Sequence, residues 1–365
     1  MIRRYSRQIR LGSLKVGGDA PVSVQSMTKS LTSSYAQLRE EVERLEDEGC
    51  EVIRIAVPDK NESLKNLNRI VQETTVPVVA DVHFDYEIAL RAIDTGVQGI
   101  RINPGNIRSR SKLRQIAEHA RASNTVVRVG VNSGSLEPDL RNRDGGVTGR
   151  GLADSALRHC GEIESMGHRE LKVSIKASDV ETTIAANRFF SRESDIPLHI
   201  GVTEAGPKLS GTIKSSVGIG ALLLEGIGDT IRVSLSAESV EEVRVGHRIL
   251  GCLGLLPGMP EIVSCPTCGR KNFDVISVAE RVEDEVYRLV QQGYCLNASK
   301  VAVMGCAVNG PGEARDADLG LAGDQRGAVL FRKGEVVRRV TLGEMEDAFL
   351  KELHGYICGE GNQEE

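Results

Sequence analysis

The segment Thr95-Gly96-Val97-Gln98-Gly99-Ile100-Arg101-Ile102-Asn103 passes from the glycine end of a helical pattern into a short apolar strand. Glycine suits the left-handed conformation with which many helices end. The same unit of amphipathic helix, glycine and apolar strand recurs along the chain, with strands that begin near Val52, Leu171 and Asp229. Regular alternation of helices and strands indicates an α/β protein with a parallel sheet.

Further strands lie between these units and bring the predicted total to eight. The predicted strands are 22–25, 52–57, 76–81, 99–103, 126–131, 171–176, 198–202 and 229–235. Eight strands that alternate with helices over residues 20–255 match a closed (β/α)₈ TIM barrel. A doubly wound open sheet is the alternative fold, but no Gly-x-Gly-x-x-Gly motif follows the first strand to support a dinucleotide site.

The composition changes after the segment Leu255-Leu256-Pro257-Gly258-Met259-Pro260, which we interpret as a linker. The barrel is therefore predicted over 1–256 and a smaller α+β domain over 261–358. The predicted elements of this domain are helices over 276–291 and 342–354 and strands over 299–304, 328–332 and 335–340. Residues 359–365 are polar and rich in glycine and glutamate, so we expect a disordered tail.

The composition argues against several classes of protein. The 365 residues carry a formal charge of −5 and no tryptophan, which disfavours a nucleic-acid partner. No apolar run approaches the roughly 20 residues of a membrane span. The basic first ten residues lack the apolar core of a secretory signal and are predicted to form a solvated arm. The cysteines follow no disulfide framework, so we expect a reducing cytoplasm.

Three cysteines of the smaller domain are placed to bind one metal centre. Cys265 and Cys268 form a Cys-Pro-Thr-Cys pair, and Cys306 lies in a glycine- and proline-rich segment. Three thiolates leave a four-ligand site one ligand short, which is typical of a metal with an exchangeable position. A structural zinc ribbon is the alternative, but a ribbon needs a second close pair of cysteines. The isolated downstream cysteines favour an iron–sulfur cluster.

Side chains along a strand alternate between its two faces, and this alternation places five cations on the predicted inner face of the barrel. They are Arg54, Arg101, Arg128, Lys176 and Arg232. A barrel lumen is usually filled by branched apolar side chains, and converging like charges are costly to bury without an anion. The carboxylates near predicted strand ends are few: Asp81, Glu204 and Asp229. A single arginine can be structural, but we interpret the set as a clamp for a ligand with more than one phosphate.

Other polar side chains share the lumen face or follow the barrel strands. They are His83, Asn103, Asn132, Glu204 and Ser234. Catalytic residues of TIM barrels lie at the carboxyl ends of the strands. A functional role is therefore favoured over a structural one for His83 and Glu204, which lie beside the cationic pocket. His199 lies inside an apolar strand and is predicted to be a hydrogen-bonded core residue.

These features together closely resemble the bacterial two-domain 4-hydroxy-3-methylbut-2-enyl diphosphate synthases of the non-mevalonate (MEP) route to isoprenoids. The matching segments are 21–27, 79–86, 99–106, 128–137, 228–235, 264–269 and 305–313. The last two contain the cysteine pair and the run Gly305-Cys306-Ala307-Val308-Asn309-Gly310-Pro311-Gly312-Glu313, and they are specific as a pair. The insertion of plant-type members is absent, because the barrel leads directly into the linker.

The resemblance implies a [4Fe–4S] cluster on Cys265, Cys268 and Cys306, with Glu313 as an unusual fourth ligand. The residues alone do not choose Glu313 over Cys295. The resemblance also implies that the substrate is 2-C-methyl-D-erythritol 2,4-cyclodiphosphate, whose ring is opened with loss of a hydroxyl and delivery of two electrons. Reduced flavodoxin or ferredoxin would supply the electrons. A head-to-tail homodimer would place the cluster domain of one subunit over the barrel mouth of its partner.

The resemblance and the charge pattern assign a role to each candidate residue. Phosphate binding is assigned to Arg54, Arg101, Arg128, Lys176 and Arg232, helped by Asn103, Asn132 and Ser234. Glu204 is the candidate for proton transfer at the hydroxyl carbon, and His83 supports it. Two other functions remain: a cofactor-free barrel transferase similar to pterin-binding synthases with a zinc ribbon, and a non-enzymatic iron–sulfur sensor. Zinc would favour the first, and the charged lumen disfavours the second.

Overall fold

The computed structural model describes residues 2–58, 61–83, 85–107, 109–306 and 314–358. The chain divides into two compact units, Met1–Leu253 and Gly254–Glu365, and each is described by itself. Glu313 and the tail 359–365 lie outside the described residues. Within the described part of the chain, no helix is long and apolar enough to cross a membrane.

Parallel strands of the first unit form one sheet behind an N-terminal hairpin. The hairpin strands are β1 (Ile9–Leu11) and β2 (Leu14–Val16), and the sheet strands are β3 (Ser23–Met27), β4 (Val52–Ala56), β5 (Val78–Asp81), β6 (Gly99–Ile102), β7 (Val126–Asn132), β8 (Leu171–Lys176), β9 (His199–Ile200) and β10 (Thr230–Ile231). Among the described residues the sheet has eight strands in the order β8-β7-β6-β5-β4-β3-β10-β9. Val173 of β8 bridges to Leu198 beside β9. This bridge joins the two ends of the sheet, so the predicted barrel is confirmed and the open sheet is wrong.

Helices follow the barrel strands and pack their apolar sides on the sheet. They are α1 (Tyr35–Asp47), α2 (Glu62–Glu73), α3 (Tyr86–Asp94), α4 (Arg110–Ala122), α5 (Pro138–Asp144), α6 (Gly149–Ser165), α7 (Val180–Glu193), α8 (Lys208–Leu224) and α9 (Ser239–Cys252). In α1 the buried positions are Leu38, Val42 and Leu45, which repeat at the helical period. β9 and β10 are shorter than predicted, although the bridge between Pro207 and Ser236 continues the alignment beyond them.

The first residues do not form the solvated arm that the sequence predicted. The hairpin packs on the inward side chains at the amino end of the barrel, in a cluster of Ile9, Leu11, Val16, Val52, Val79 and Val126. Ahead of it, Arg3 donates to the buried carboxylate of Asp229 at 2.9 Å. Arg3 and Arg7 are therefore paired with carboxylates of the first unit, and the hairpin closes one end of the lumen.

The second unit is a mixed sheet with two helices in its described part. Its elements are β11 (Glu261–Ser264), α10 (Val275–Gln291), β12 (Cys295–Leu296), β13 (Lys300–Met304), β14 (Leu319–Asp324), β15 (Gly327–Arg332), β16 (Glu335–Val340), α11 (Met345–His354) and β17 (Ile357–Cys358). The main sheet has the order β11-β13-β14-β15-β16, and β12 pairs with β17. The predicted elements are present, whereas β11, β12, β14 and β17 were not predicted. β14 carries two glycines, and Gly320 leaves room for the ring of Phe331, which a Cβ there would approach to 2.0 Å.

Candidate active site

Strand alternation carries the predicted cations into the barrel. Arg101 of β6 is the register partner of Arg128 in β7, and Asn132 at the end of β7 is the partner of Lys176 in β8. Burial lowers the pKa of Arg128 well below its usual value, and the charges of Arg54 and Arg101 lower it further. The structure therefore brings these cations together, close enough to repel one another.

Two glycines on the lumen face make room for the cationic groups. A Cβ at Gly130 would lie 2.5 Å from Nε of Arg101, and a Cβ at Gly201 would lie 2.9 Å from Nζ of Lys176. A larger residue at Gly130 would have to displace the guanidinium of Arg101, and one at Gly201 would also meet the backbone carbonyl of Arg232 at 2.3 Å. The glycines thus belong to the architecture of the pocket, although the sequence analysis did not single them out.

Asp81 joins two of the arginines to His83 at the carboxyl end of β5. Its carboxylate lies 3.8 Å from Nε of Arg54, 3.4 Å from Nη1 of Arg101 and 3.2 Å from Nε2 of His83. Burial alone would raise the pKa of Asp81, but Arg54, the hydrogen bond from His83 and Arg101 outweigh it and hold that pKa well below its usual range. The side chain of His83 is 48% exposed, so it can reach a ligand from this network.

Arg232 has a carboxylate partner that the sequence analysis missed. Glu242 of α9 is 1% exposed, and it lies 3.2 Å from Nη2 of Arg232 and 3.1 Å from Nζ of Lys29. Glu242 was overlooked because only carboxylates at strand ends were considered. The sequence could have indicated it, because Glu242 lies next to Val243 on the buried side of a helix. Arg232 is therefore held in place by the protein itself.

Arg128 and Lys176 lack such a partner. Within the described ranges, neither has a carboxylate at ion-pair distance. Nη1 of Arg128 donates to Oε1 of Gln25 at 3.2 Å, while its Nε is buried without a partner in the described part of the chain. Burial lowers the pKa of Lys176 well below its usual value, and Arg128, Arg232 and other cations add to this effect. An anionic ligand would relieve both groups.

Lys172 is a further lumen cation that the sequence analysis did not name. It lies on the same face of β8 as Lys176, it is the register partner of Arg128, and it is 1% exposed. Its Nζ has no hydrogen-bond partner among the described residues. Burial lowers the pKa of Lys172 to about 7, helped by the charge of Arg128. The alternation that selected Lys176 would also have selected Lys172.

The remaining polar candidates differ in their hydrogen bonds and in their burial. Oδ1 of Asn103 accepts from the backbone N–H of Gly105 at 3.2 Å. In the amide orientation that satisfies both of its polar atoms, Asn132 accepts from Nη2 of Arg101 at 3.3 Å. Ser234 is half-buried and follows the same alternation as Arg232. His199 is a buried residue whose Nδ1 lies 2.8 Å from Oγ1 of Thr230, which confirms the prediction of a hydrogen-bonded core histidine.

Glu204 lies beyond the carboxyl end of β9 in an unusual backbone conformation. Its φ is +51°, which is uncommon for a residue with a side chain and costs about 1–3 kcal/mol. The residue is exposed. Strain of this kind persists where the surrounding structure fixes it, often at functional sites. The position therefore supports a functional carboxylate more than a structural one.

In the second unit, the carboxyl ends of two neighbouring parallel strands carry cysteines. Cys265 follows β11 and Cys306 follows shortly after β13, and these strands are aligned with Ser264 opposite Val303. The Sγ of Cys265 accepts from the backbone N–H of Gly305 at 3.2 Å. Cys268 is exposed and belongs to the loop that follows β11. The three predicted thiol ligands thus belong to segments that follow strands at one end of the sheet.

Two family models match the chain. The model described as the GcpE TIM-barrel domain matches residues 6–247, and the model described as the GcpE protein C-terminal domain matches residues 261–355. The chain belongs to the GcpE family. The family recognised from the sequence motifs is thereby confirmed.

Curated relatives of this GcpE chain carry one name. A protein of Caldanaerobacter subterraneus subsp. tengcongensis is 45% identical over 98% of both chains. A protein of Persephonella marina is 48% identical over 96% of this chain and 98% of its own length. Each is named 4-hydroxy-3-methylbut-2-en-1-yl diphosphate synthase (flavodoxin). The solved type I 3-dehydroquinate dehydratase of Clostridium difficile is 12% identical, with a TM-score of 0.50 over 68% of this chain and 98% of its own, which reflects the barrel fold alone.

The cysteines of the GcpE chain have the chemistry of iron–sulfur ligands, and Cys265 and Cys306 follow neighbouring parallel strands at the same end of the sheet. In this structure, no three of the described Cys, His, Asp and Glu side chains are gathered closely enough to hold a metal ion. Cys295 begins a different strand, and its neighbour Leu296 bonds to Gly258, ahead of β11. β13 alone spans about 13 Å at ~3.3 Å per residue, so Cys295 lies at the opposite end of the sheet from Cys265 and Cys306. This placement argues against Cys295 as the fourth ligand.

Proposed function

We propose that this GcpE-family chain is a 4-hydroxy-3-methylbut-2-enyl diphosphate synthase that acts on 2-C-methyl-D-erythritol 2,4-cyclodiphosphate. The observation that carries the proposal is the barrel lumen, where Arg128 and Lys176 are buried without a carboxylate partner among the described residues. A cyclic diphosphate offers two phosphates to such a pocket. The relatives that carry this enzyme name match nearly the whole chain.

The cations would contribute to phosphate binding in different ways, according to whether a carboxylate of the protein pairs with them. Arg54 and Arg101 are oriented by Asp81, and Arg232 is oriented by Glu242. These arginines can form bidentate contacts to phosphate without first being ordered. Arg128 and Lys176 have the most to gain, because the phosphates would offset charges that are otherwise uncompensated. Asn103, Asn132 and Ser234 would add neutral hydrogen bonds.

The closed end of the barrel sets the direction of entry. The hairpin fills the amino end with apolar side chains, so the substrate would enter from the carboxyl ends of the strands. Glu204 and His83 follow strands at that end, as catalytic residues of barrels do. A diphosphate anchored on the lumen cations would present its carbon skeleton to these two side chains.

The reaction would break the ring C–O bond at the tertiary carbon and remove a hydroxyl, with two electrons delivered. Glu204 would transfer a proton at the hydroxyl carbon, so that the hydroxyl leaves as water. His83 would position the substrate from its network with Asp81 and Arg101. A [4Fe–4S] cluster, held by Cys265, Cys268 and Cys306 with Glu313 as the fourth ligand, would supply the electrons one at a time. Reduced flavodoxin or ferredoxin is the proposed donor, and a head-to-tail homodimer the proposed assembly.

A calorimetric titration with the cyclic diphosphate tests the binding site. Arg128→Met removes an unpaired cation, so it should weaken binding by about 2–4 kcal/mol, or roughly 30- to 900-fold. Arg91→Met removes an exposed arginine of α3 and should leave the affinity unchanged. Equal affinity of the Arg128→Met variant and the wild type would mean that the lumen cations are structural.

A further inference from the structure

Two exposed cysteines of the second unit lie directly opposite each other in a short antiparallel ladder. Cys295 of β12 pairs with Cys358 of β17, and Leu296 pairs with Ile357. The backbone N–H of Asn297 donates to the carbonyl of Tyr356 at 2.8 Å and continues the ladder. Residues that face each other across such a pair have Cα atoms about 4.5–5.5 Å apart. That separation lies within the range that a disulfide requires.

The pairing with Cys358 also affects the Cys295 thiol. Partial burial raises the pKa of the Cys295 thiol, and both the charge of Cys358 and a hydrogen bond to it raise that pKa further. Both residues are free cysteines in this structure.

The surroundings hold the two strands in this register. Leu296 is 3% exposed and belongs to the core of the second unit, against which Tyr356 and Ile357 also pack. The hydroxyl of Tyr356 donates to the carbonyl of Asp318 at 2.7 Å. The cysteines are thus solvent-accessible groups on a fixed backbone, and a bond between them would require no rearrangement of the core.

We propose that Cys295 and Cys358 are a redox-active dithiol that closes to a disulfide on reaction with peroxide. This site is separate from the proposed cluster ligands, because it lies at the other end of the sheet from Cys265 and Cys306. It is also independent of the chemistry proposed for the barrel.

The reaction balances with hydrogen peroxide as the oxidant. The Cys358 thiolate attacks one peroxide oxygen, the O–O bond breaks, and a sulfenic acid and one water form after protonation. The Cys295 sulfur then attacks the Cys358 sulfur, the S–O bond breaks, and the leaving hydroxide takes the thiol proton to form a second water. Two electrons pass from the sulfurs to peroxide. The same steps balance with the roles of the two cysteines exchanged, because both are exposed.

The bond would constrain the part of the chain that carries one predicted cluster ligand. It links residues 295 and 358, so the closed loop includes Cys306 and the strands β13 to β16. Closing a long loop restricts the unfolded chain and thereby stabilises the folded state. We infer that oxidation of the dithiol keeps the second unit folded under oxidising conditions, and that a thiol reductant reverses the effect.

Peptide mapping of the full-length chain tests the proposal. The protein is treated with hydrogen peroxide, alkylated with iodoacetamide and digested without reductant. We expect a cross-linked peptide pair that contains Cys295 and Cys358, and loss of this pair after treatment with dithiothreitol. The thermal midpoint of the oxidised protein should rise by about 5 °C or more and fall again on reduction.

Matched variants show whether the effect belongs to this pair. Cys295→Ser and Cys358→Ser should lose both the cross-link and the thermal shift, whereas Cys252→Ser, which removes an exposed cysteine of α9, should keep both. The mapping of the wild-type chain does not depend on the variants. Full alkylation of Cys295 and Cys358 after peroxide treatment, or a bond from either to another cysteine, would overturn the proposal.

Discussion

The buried cations of the barrel differ in whether the protein neutralises them. Arg54 and Arg101 share Asp81, and Arg232 faces Glu242, whereas Arg128 and Lys176 lack a carboxylate partner among the described residues. Strand alternation predicted five of the lumen cations, but the sequence analysis did not name Lys172, which follows the same alternation. Alternation could not predict the pairing of the cations, because Glu242 reaches the lumen from a helix.

Glu204 allows the proposed proton transfer to be separated from substrate binding. Glu204→Gln keeps the shape of the side chain but removes its acid, so turnover should fall on the order of a hundredfold or more. Affinity for the cyclic diphosphate should change little, because the lumen cations remain. Glu193→Gln, an exposed position at the end of α7, is the matched control. A Glu204→Gln enzyme with most of its activity would remove this residue from the mechanism.

Lys172 predicts a specific dependence of stability on pH. Its pKa is about 7 in the folded chain and about 10.4 when unfolded. Between these values the unfolded state binds more protons, so the wild-type free energy of unfolding should rise with pH by up to about 1.4 kcal/mol per unit. Below pH 7 the lysine is charged in both states and its destabilising effect is complete.

Urea unfolding of the wild type and Lys172→Met at several pH values measures this effect. The variant should be the more stable protein at pH 6, and its advantage should shrink between pH 7 and 10. Lys65→Met removes an exposed lysine of α2 and should show no such trend. A difference between wild type and Lys172→Met that stays constant with pH would contradict the buried, unpaired position of Lys172.

Among the secondary-structure elements, the strands with strong apolar alternation were predicted well and those with weak alternation were missed. Leu171–Lys176 was predicted with the observed bounds. β14 was missed because two of its six residues are glycines, and the role of Gly320 depends on Phe331 in the next strand. The hairpin β1–β2 was missed because its basic flank is typical of a solvated segment, and its carboxylate partners are distant in sequence.

The prediction about the metal concerns the cysteines near the carboxyl ends of β11 and β13. Anaerobically purified protein should be brown and contain about four irons per chain if the cluster is a cubane. Cys265→Ser, Cys268→Ser and Cys306→Ser should each lose the colour and the iron. Cys50→Ser, Cys160→Ser and Cys295→Ser should keep them. A brown Cys306→Ser variant would show that the third ligand is a different residue.

The whole chain combines a cationic barrel with a cysteine-bearing unit, and both parts were foreseen from the sequence. The barrel follows from its eight helix–strand repeats, and the second unit follows from the change in composition after residue 255. Membership of the GcpE family rests on matches to both parts. The substrate could not be derived from charge alone, because many phosphorylated ligands suit a cationic lumen, and it came from the family resemblance.

Turnover of the cyclic diphosphate by the intact chain tests the roles proposed for the barrel and for the second unit in one measurement. Iron-loaded protein is incubated anaerobically with reduced flavodoxin and 2-C-methyl-D-erythritol 2,4-cyclodiphosphate, and phosphorus NMR follows the two phosphate signals. We predict conversion to the linear diphosphate of 4-hydroxy-3-methylbut-2-enol, with loss of conversion in Cys306→Ser. An iron-loaded wild-type chain that leaves the cyclic diphosphate unchanged with a reduced donor would contradict the proposed function.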